Sequence, residues 1–505
     1  LAKVVLAGFM GSGKTSVGSK LAELLDVPFF DSDAIIEKRF GKIPEIFKNR
    51  GEQFFRKVEE EVIAEILNRK TDFVLSIGGG AIVSNKTQNR IFENSIPIYL
   101  SIDIRTAFER VRNSERPLAK DFASFKKLFY ERKSIYDSLP FFVDVQWKTI
   151  SEIAFEIKSF LEPVMFENPH RISVSVMPVS EVKKLLPGFY ITDQHVFNLY
   201  KKLFENKKGV SISSGEHSKT MQTVVNIYDK LLSLGISRGD FISYVGGGVV
   251  GDVAGFVAST LLRGVPFTAL PSTLLSMTDS AIGGKNGVNL PYGKNLAGTF
   301  YFPEETFVNP MFLRTLPLEE VRNGSGEIFK YALLSENGLF ELLENANQNL
   351  FKSISVKEII AQSVSEKLSF VQKDPFDRKG VRAFLNLGHT VGHAIEKLAK
   401  FDVKHGEAVA FGIVVSAFFS KKKKLLSEGD FERIFNLYKK MGFKFPEEVF
   451  SYREIYNAIL FDKKRSGGKV LWIIPVKYNR CISMNVSVEE IAKTYREVAN
   501  ENSCN

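Results

Sequence analysis

Residues 3–25 read KVVLAGFMGSGKTSVGSKLAELL, and they decide the fold of the first half of the chain. Residues 3–7 form a short apolar run with strand character, and residues 14–25 carry a helical pattern. Between them, Gly8-Phe9-Met10-Gly11-Ser12-Gly13-Lys14-Thr15 fits G-x-x-x-x-G-K-[ST] in the context that motif requires. The glycines let backbone N–H groups close on phosphate oxygens, and the helix N-terminus adds partial positive charge. Lys14 supplies a point charge for the outer phosphates and Thr15 a hydroxyl for Mg²⁺. The motif predicts a bound nucleotide and leaves the phosphate acceptor open.

Working outward, further strands are expected at 73–77 and 96–101, with helical stretches between and an amphipathic helix over 151–161. Strands alternating with helices imply a parallel sheet with crossovers. Asp31-Ser32-Asp33 ends a strand-like run. Residues two apart on an extended segment point the same way, so both carboxylates can face a cleft, one for metal and one for a hydroxyl. The competing reading is a capping pair before a helix at 34–39. Gly51-Glu52 and Phe55-Arg56 follow, then Gly78-Gly79-Gly80 directly after a strand, where a ligand can approach the backbone closely. Arg116-Pro117-Leu118 and Arg132 with Tyr136 complete the set.

A second alternation begins near Arg171, with strands expected at 190–192, 241–245 and 267–270 and a helix near 220–234. Beyond about Leu313 helical patterns dominate. Gly246, Gly248 and Gly251 satisfy G-x-G-x-x-G after a strand, but no acidic residue stands about 20 positions on to take a ribose. Asp193, at an earlier strand end, is the better ribose candidate. Three of the 6 histidines fall at 389, 393 and 405. His389 and His393 share a helix face by spacing, and Glu327 lies upstream. Two histidines and a carboxylate make a zinc-type donor set with an open position. Lys285, Lys294, Lys330, Lys367 and Arg382 give this half many cations near glycine- or asparagine-rich segments.

Composition narrows the class. At 505 residues the chain exceeds a single core. With 44% hydrophobic and 25% charged residues it is neither disordered nor fibrous, and 2 Cys exclude a disulfide scaffold and suit a reducing cytoplasm. The longest apolar run, 408–419, is too short to span a bilayer. The apolar start resembles a signal peptide, but its glycines and Lys14 interrupt the run. The net charge of +10 is mild for this length, and the 421–424 lysine run reads as a solvated face. The expected partners are small anionic substrates, with no nucleic acid and no membrane.

Taken together, the P-loop, D-x-D, G-E-x-x-F-R, G-G-G, R-P-L and R-x-x-x-Y blocks resemble the shikimate kinase family over residues 1–162. The resemblance implies ATP-dependent phosphorylation of shikimate with Mg²⁺. Gly11, Ser12, Gly13, Lys14, Thr15 and Ser16 would hold the nucleotide, and Thr15 and Asp31 the metal. Asp33, Arg56, Gly79, Gly80 and Arg132 would hold shikimate. Asp33, Lys14 and Arg116, the last on a lid, would be catalytic.

Residues 170–505 are similar to the 3-dehydroquinate synthase family. The resemblance rests on Gly215-Glu216 with Lys219, GGGVVGD (246–252), PSTLLSMTDSAIGGKNGVN (271–289), Lys294-Asn295, Glu327 with Lys330-Tyr331, LNLGHTVGHAIE (385–396) and His405-Gly406-Glu407. It implies an α/β chain: a P-loop parallel-sheet domain (1–162), a linker (163–169), an NAD-binding α/β domain (170–312) and a helical metal and substrate domain (313–505). It replaces the spacing guess with Glu327, His389 and His405 as ligands of Zn²⁺ or Co²⁺ and makes His393 an active-site residue. NAD⁺ would contact Asp193, Glu216, Lys219, Gly246, Gly247, Gly248, Val249, Gly251, Asp252, Ser272, Thr273 and Asp279. Lys285 and Lys294 would stand where cofactor and substrate meet. Asn295, Lys330, Lys367, Arg382 and Asn386 would hold substrate, with Lys285 and Lys330 also catalytic, and one of Lys463 and Lys464 would be functional. Asn286 and Ser272 depart mildly from the family pattern. The implied reaction converts a heptulosonate 7-phosphate to 3-dehydroquinate and phosphate, with NAD oxidising and then re-reducing the substrate so that it is not consumed. The implied assembly is a homodimer through the synthase part. The rival reading of this half is a metal-dependent polyol dehydrogenase, which would release its hydride product and has no use for phosphate-facing cations.

Overall fold

The computed structural model describes residues 3–112, 121–167, 169–346, 350–400, 402–446, 448–462 and 469–502. The first unit is a five-stranded, all-parallel sheet: β1 (Lys3–Ala7), β2 (Phe29–Asp31), β3 (Phe73–Ser76), β4 (Ile96–Ser101) and β5 (Phe141–Asp144), in the order β2-β3-β1-β4-β5. The strands β1, β3 and β4 are almost wholly buried, as parallel strands covered on both faces must be. The P-loop therefore leaves the C-terminal end of a central strand and runs into the helix Lys14–Leu25.

The second sheet has seven strands: β6 (Val164–Phe166), β7 (Arg171–Val174), β8 (Phe189–Asp193), β9 (Gly209–Ile212), β10 (Ile242–Gly246) and β11 (Phe267–Pro271). After the hairpin β12 (Lys285–Leu290) and β13 (Gly293–Phe300) comes its last strand, β14 (Glu305–Val308). The order is β6-β7-β14-β11-β10-β8-β9, parallel except for the β6–β7 edge. From β8 the chain moves toward β9, and from β10 it moves the opposite way. The crevice at the C-terminal ends of β8 and β10 is therefore the switch point at which such sheets bind ligands. Asp193 and Gly246 stand there.

Two sequence expectations change. The stretch taken as a linker, 163–169, contributes β6, which pairs antiparallel with β7 as an edge strand, because Val164 and Phe166 have an apolar face to bury. The helical part also contains a hairpin, β15 (Lys469–Lys477) and β16 (Arg480–Ser487), whose Val470, Trp472 and Ile474 are buried and which runs into the last helix, Val488–Asn502.

The two halves are packed together. Helix Asn85–Asn94 lies against helix Val179–Val182, Lys202 pairs with Glu93 (2.7 Å), and the Arg314 guanidinium sits 4.4 Å from the Phe92 ring centre. Ser353 bridges edge strand β5 at Phe142. Lys357, at the start of helix Val356–Lys373, donates to the carbonyls of Ser159 and Glu162, where helix Ile150–Leu161 ends with unpaired carbonyls. One apolar cluster runs through the first unit and the helical part, and a second fills the layer around β8, β10 and β11. No helix among the described residues is long and apolar enough to cross a membrane.

Candidate active sites

In the first unit, Gly11 and Gly13 adopt φ of 84°, which L side chains rarely take, and a Cβ on Gly11 would lie 2.7 Å from the Ala107 carbonyl. Lys14 Nζ donates back to the carbonyls of Gly8 (2.9 Å) and Phe9 (3.2 Å), closing the loop over itself. The Thr15 hydroxyl donates to Asp31 Oδ2 (2.8 Å). A hydroxyl and a carboxylate meeting beside the phosphate loop are a fitting donor pair for Mg²⁺.

The reading of Asp31 and Asp33 as neighbours on an extended segment is corrected. The strand stops at Asp31, which caps the helix Ser32–Phe40 by accepting from Ala34 N–H (3.2 Å). Asp31 thus serves as cap and as Thr15 partner at once, and Asp33 sits in the first helical turn. Asp33 still reaches the Gly78–Gly80 loop: a Cβ on Gly78 would lie 2.7 Å from its Oδ1. Gly80 faces the Arg56 guanidinium, Gly79 faces Arg132, and the Tyr136 hydroxyl donates to the Gly79 carbonyl. The sequence reading missed Glu59. It is buried, accepts from Arg56 (2.8 Å) and lies against Asp33; burial pushes its carboxyl up to about 7, against the pull of Arg56 and Arg132. Its three-residue spacing from Arg56 on one helix was the available signal. Arg116, like Lys463 and Lys464, lies outside the described residues.

In the second unit a cavity of about 1270 Å³ opens at the switch point. Asp193, Glu216, Lys219, Gly247, Gly248, Val249, Asp252, Ser272, Thr273 and Asp279 line one side, and Lys294, Asn295, His393, Glu396 and His405 complete it. Asp193 caps the helix after β8 through His195 and Val196 N–H and accepts from the Ser214 hydroxyl (2.8 Å). Gly246 is packed on Val250, and Gly251 on the Tyr244 ring, so the turn into helix Gly248–Thr260 admits no side chain. Beneath it the buried Lys219 pairs with the partly exposed Asp252. Ser272 N–H donates to the Gly246 carbonyl (2.9 Å), tying the next strand's exit to the loop.

Glu327, on helix Leu318–Leu334, is buried: it pairs with Lys330, and its Oε1 lies 3.1 Å from His405 Nε2 and 3.5 Å from His389 Nε2. Burial opposes its charge, but Lys330 and the two histidines hold its carboxyl well below the usual range. Burial lowers His389 to about 3, so it is a neutral imidazole with a lone pair to give. Burial also opposes charge on His405, but hydrogen bonds to Glu327 and Glu396 raise it to about 10. The three donor atoms lie within 4.8 Å of one another, and one carboxylate with two imidazoles fits a zinc- or cobalt-type ion. Asp279, on the cavity lining, accepts from Lys367 (2.8 Å) and the Tyr331 hydroxyl, and the buried Lys367 and Lys330 stand behind it. Arg382 is buried there too, donating to the Gly283 carbonyl (3.2 Å).

Of the expected cofactor and substrate residues, Gly246, Gly251, Lys330, Lys367 and Arg382 lie behind the cavity lining rather than on it, and Lys285 and Asn386 point away from it. Lys285 leads β12 outward and is taken by Asp377 (2.6 Å), while Asn386 is exposed at the end of a short turn. Glu396 was missed; it follows His389 by seven residues on the same helix.

Fold and sites define a P-loop phosphotransferase unit joined to an α/β-plus-helical enzyme with a carboxylate–histidine cluster able to hold a metal. The shikimate kinase family model matches residues 10–162, and the N-terminal and C-terminal models of 3-dehydroquinate synthase match 209–323 and 324–465. A bifunctional shikimate kinase/3-dehydroquinate synthase from Thermotoga maritima is 32% identical over 472 residues, 92% of this chain and 93% of that protein. A 3-dehydroquinate synthase from Streptococcus thermophilus is 36% identical over 354 residues, 67% of this chain and 99% of that protein. The structure of 2-epi-5-epi-valiolone synthase from Streptomyces hygroscopicus, solved with NAD⁺ and Zn²⁺, shares the fold at a TM-score of 0.61 and 24% identity, over 67% of this chain and 99% of that one. The chain belongs to the bifunctional shikimate kinase/3-dehydroquinate synthase family.

Proposed function

We propose that the chain catalyses two reactions: ATP-dependent phosphorylation of shikimate to shikimate 3-phosphate, and conversion of 3-deoxy-D-arabino-heptulosonate 7-phosphate to 3-dehydroquinate and phosphate with catalytic NAD⁺. The observation that carries the reading is the cluster of Glu327, His389 and His405, whose His405 lines the same cavity as the Gly247–Asp252 loop. A polyol dehydrogenase would also use a metal and NAD, but the cations clustered around Asp279 favour a substrate with both phosphate and carboxylate.

In the kinase, Arg56 and Arg132 converge on the Gly79–Gly80 backbone, where they suit the shikimate carboxylate in fork geometry. Asp33 beside them orients the acceptor hydroxyl. Phosphoryl transfer rests on positioning and charge neutralisation, so Lys14, and Thr15 with Asp31 around Mg²⁺, carry the rest. In the synthase, Asp193 suits the ribose hydroxyls, and the N-terminus of helix Gly248–Thr260 suits the pyrophosphate. When bound, the metal at Glu327, His389 and His405 would supply Lewis-acid stabilisation of an oxyanion and NAD⁺ a reversible hydride acceptor. His393, exposed to the cavity, is placed to hydrogen-bond substrate, and Lys294 and Asn295 face it from the hairpin rim. The reading includes a homodimer through the synthase part and work in the cytoplasm, the latter supported by the free thiol of Cys481.

The test is phosphate release from the heptulosonate 7-phosphate with trace NAD⁺ and divalent metal, repeated after chelation. Metal-dependent release without net NADH is expected. NADH building up on polyols, with no phosphate released, would replace the synthase by a dehydrogenase. For the kinase, Asp33→Asn should keep ATP binding and lose shikimate phosphorylation. A chain that binds ATP but never phosphorylates shikimate would be a nucleotide sensor instead.

A further inference from the structure

His389 and His405 turn the same nitrogen, Nε2, toward Glu327 Oε1. The opposite nitrogen of each ring is held from behind. His389 Nδ1 lies 3.0 Å from the Leu387 carbonyl, and His405 Nδ1 lies 3.1 Å from Glu396 Oε2. A carbonyl oxygen only accepts, so His389 carries its proton on Nδ1 and presents a lone pair at Nε2. Glu396 likewise holds the Nδ1 proton of His405, through a side chain rather than the backbone, while Nε2 faces the Glu327 carboxylate and would give up its proton to a bound metal. It is only 8% exposed, so its carboxylate is held in place beside His405 rather than left to water. Helix His389–Leu398 carries His389 at its start and Glu396 near its end, so a single rigid element supplies one ligand and the support for the other.

We propose that Glu396 is a positioning residue of the metal centre. It holds His405 with Nδ1 protonated and Nε2 aimed at the metal position, and its charge makes that imidazole a stronger donor. The inference rests on the reading of Glu327, His389 and His405 as metal ligands. A second arrangement competes with it: Glu396, His393 and His405 also bring donor atoms within 4.8 Å of one another, which could hold an ion of their own. That ion would need His405 Nδ1, the atom already engaged by Glu396, and His393 is exposed. The single-metal arrangement uses both nitrogens of His405 without conflict.

The experiment measures Zn²⁺ affinity and stoichiometry on the full chain by competition with a chromophoric chelator, and the visible absorption of the Co²⁺ form. Circular dichroism of each metal-free variant checks folding. Outer-shell partners of this kind hold about 10- to 100-fold in metal affinity, so Glu396→Leu, which fills the site but accepts nothing, should weaken Zn²⁺ binding by that factor. Glu396→Gln keeps an acceptor and loses the charge, so it should fall between, at about three- to tenfold, and restore the Co²⁺ spectrum that the leucine variant distorts. A purely structural glutamate would lower thermal stability without moving the spectrum. His389→Ala sets the scale, since it removes a ligand. If it collapses Zn²⁺ binding while both Glu396 variants stay within about twofold of the parent, Glu396 does not position His405. Two zinc equivalents per chain, one lost in Glu396→Leu, would make Glu396 a ligand and overturn the inference in the other direction. A parent chain that binds no zinc, or binds it equally well without His389, would refute the metal reading itself. Should the leucine variant not fold, Glu396→Gln decides alone: less than about a threefold loss overturns the proposal.

Discussion

Gly326→Ala separates the geometry of the metal centre from its chemistry. Gly326 precedes Glu327 and Gly406 follows His405, and the two helices that carry them touch at these glycines. A Cβ on Gly326 would lie 2.1 Å from the Gly406 carbonyl oxygen and 2.5 Å from its Cα. Both obstacles are backbone, so no side chain can swing away. Ordinary contact starts at 3.4 Å, so helices Leu318–Leu334 and His405–Lys422 must part by about 1.3 Å. Glu327 Oε1 and His405 Nε2, now 3.1 Å apart, would move with them. Metal–ligand distances hold within about 0.2 Å, so the opening breaks the donor set; Zn²⁺ affinity should drop on the order of 100-fold. The strain itself should cost about 1–3 kcal/mol of stability. Chelator competition and thermal unfolding with and without zinc measure the two effects separately. Gly429→Ala is the control: its Cβ would meet nothing within 4 Å, and stability should stay within about 1 kcal/mol of the parent. A Gly326→Ala chain with parental zinc affinity and melting temperature would refute the view that close helix packing sets this site.

Other outcomes follow from buried charges. Glu59 carries a pKa raised from 4.5 to about 7, so the folded chain holds its proton more tightly than the unfolded chain does. Its contribution to stability is full below about pH 4.5 and is lost as pH rises through 7, a loss of about 3 kcal/mol. Glu59→Gln should escape that loss, so its melting temperature should pull ahead of the parent's between pH 5 and 8; parallel curves would sink the argument. Lys357→Met removes the donor to two helix-end carbonyls and should cost about 2–4 kcal/mol. In calorimetry the kinase transition should then separate from the synthase transition, and an unchanged trace would mean that Lys357 does not tie the halves. Asp31→Asn should weaken Mg²⁺-dependent kinase turnover at least tenfold while leaving the melting temperature nearly unchanged, since Asn caps a helix about as well as Asp, read by Mg²⁺ titration and melting; an unchanged Mg²⁺ requirement would leave Asp31 a cap alone.

Much of both sites was legible because their loops are local. The P-loop is eight contiguous residues whose glycines dictate the backbone, and strand and helix on either side follow from periodicity. The same holds for Gly246–Asp252. What failed depended on where a short element stops or on what lies across from it. Asp31 and Asp33 were read on one extended segment, but Asp31's carboxylate ends the strand by capping the next helix. The residues 163–169 looked like a connection because three residues of strand carry too little pattern to announce pairing with β7. Glu396 and, apart from its helix neighbour Arg56, Glu59 have partners on other elements, His405 for one and Asp33 and Arg132 for the other, which only the fold brings near. Lys285 matched a sequence block, but its direction is set by Asp377, 92 residues on.

The same distinction explains how the two halves are joined. Helix Val356–Lys373 places Lys357 under the last carbonyls of the kinase helix Ile150–Leu161, and ten residues later it places Lys367 against Asp279 at the synthase cavity. No local pattern marks either role. An amphipathic helix buries lysines only where oxygen atoms await them, and both lysines here are buried. The contacts fall on the ends of kinase helices and on edge strand β5, which are the unpaired carbonyls and strand edge that a free-standing kinase would leave to water. These contacts, all among the described residues, fall on those ends rather than on the Gly78–Gly80 loop or the P-loop, so this interface draws on backbone ends and not on the loops that face the kinase site.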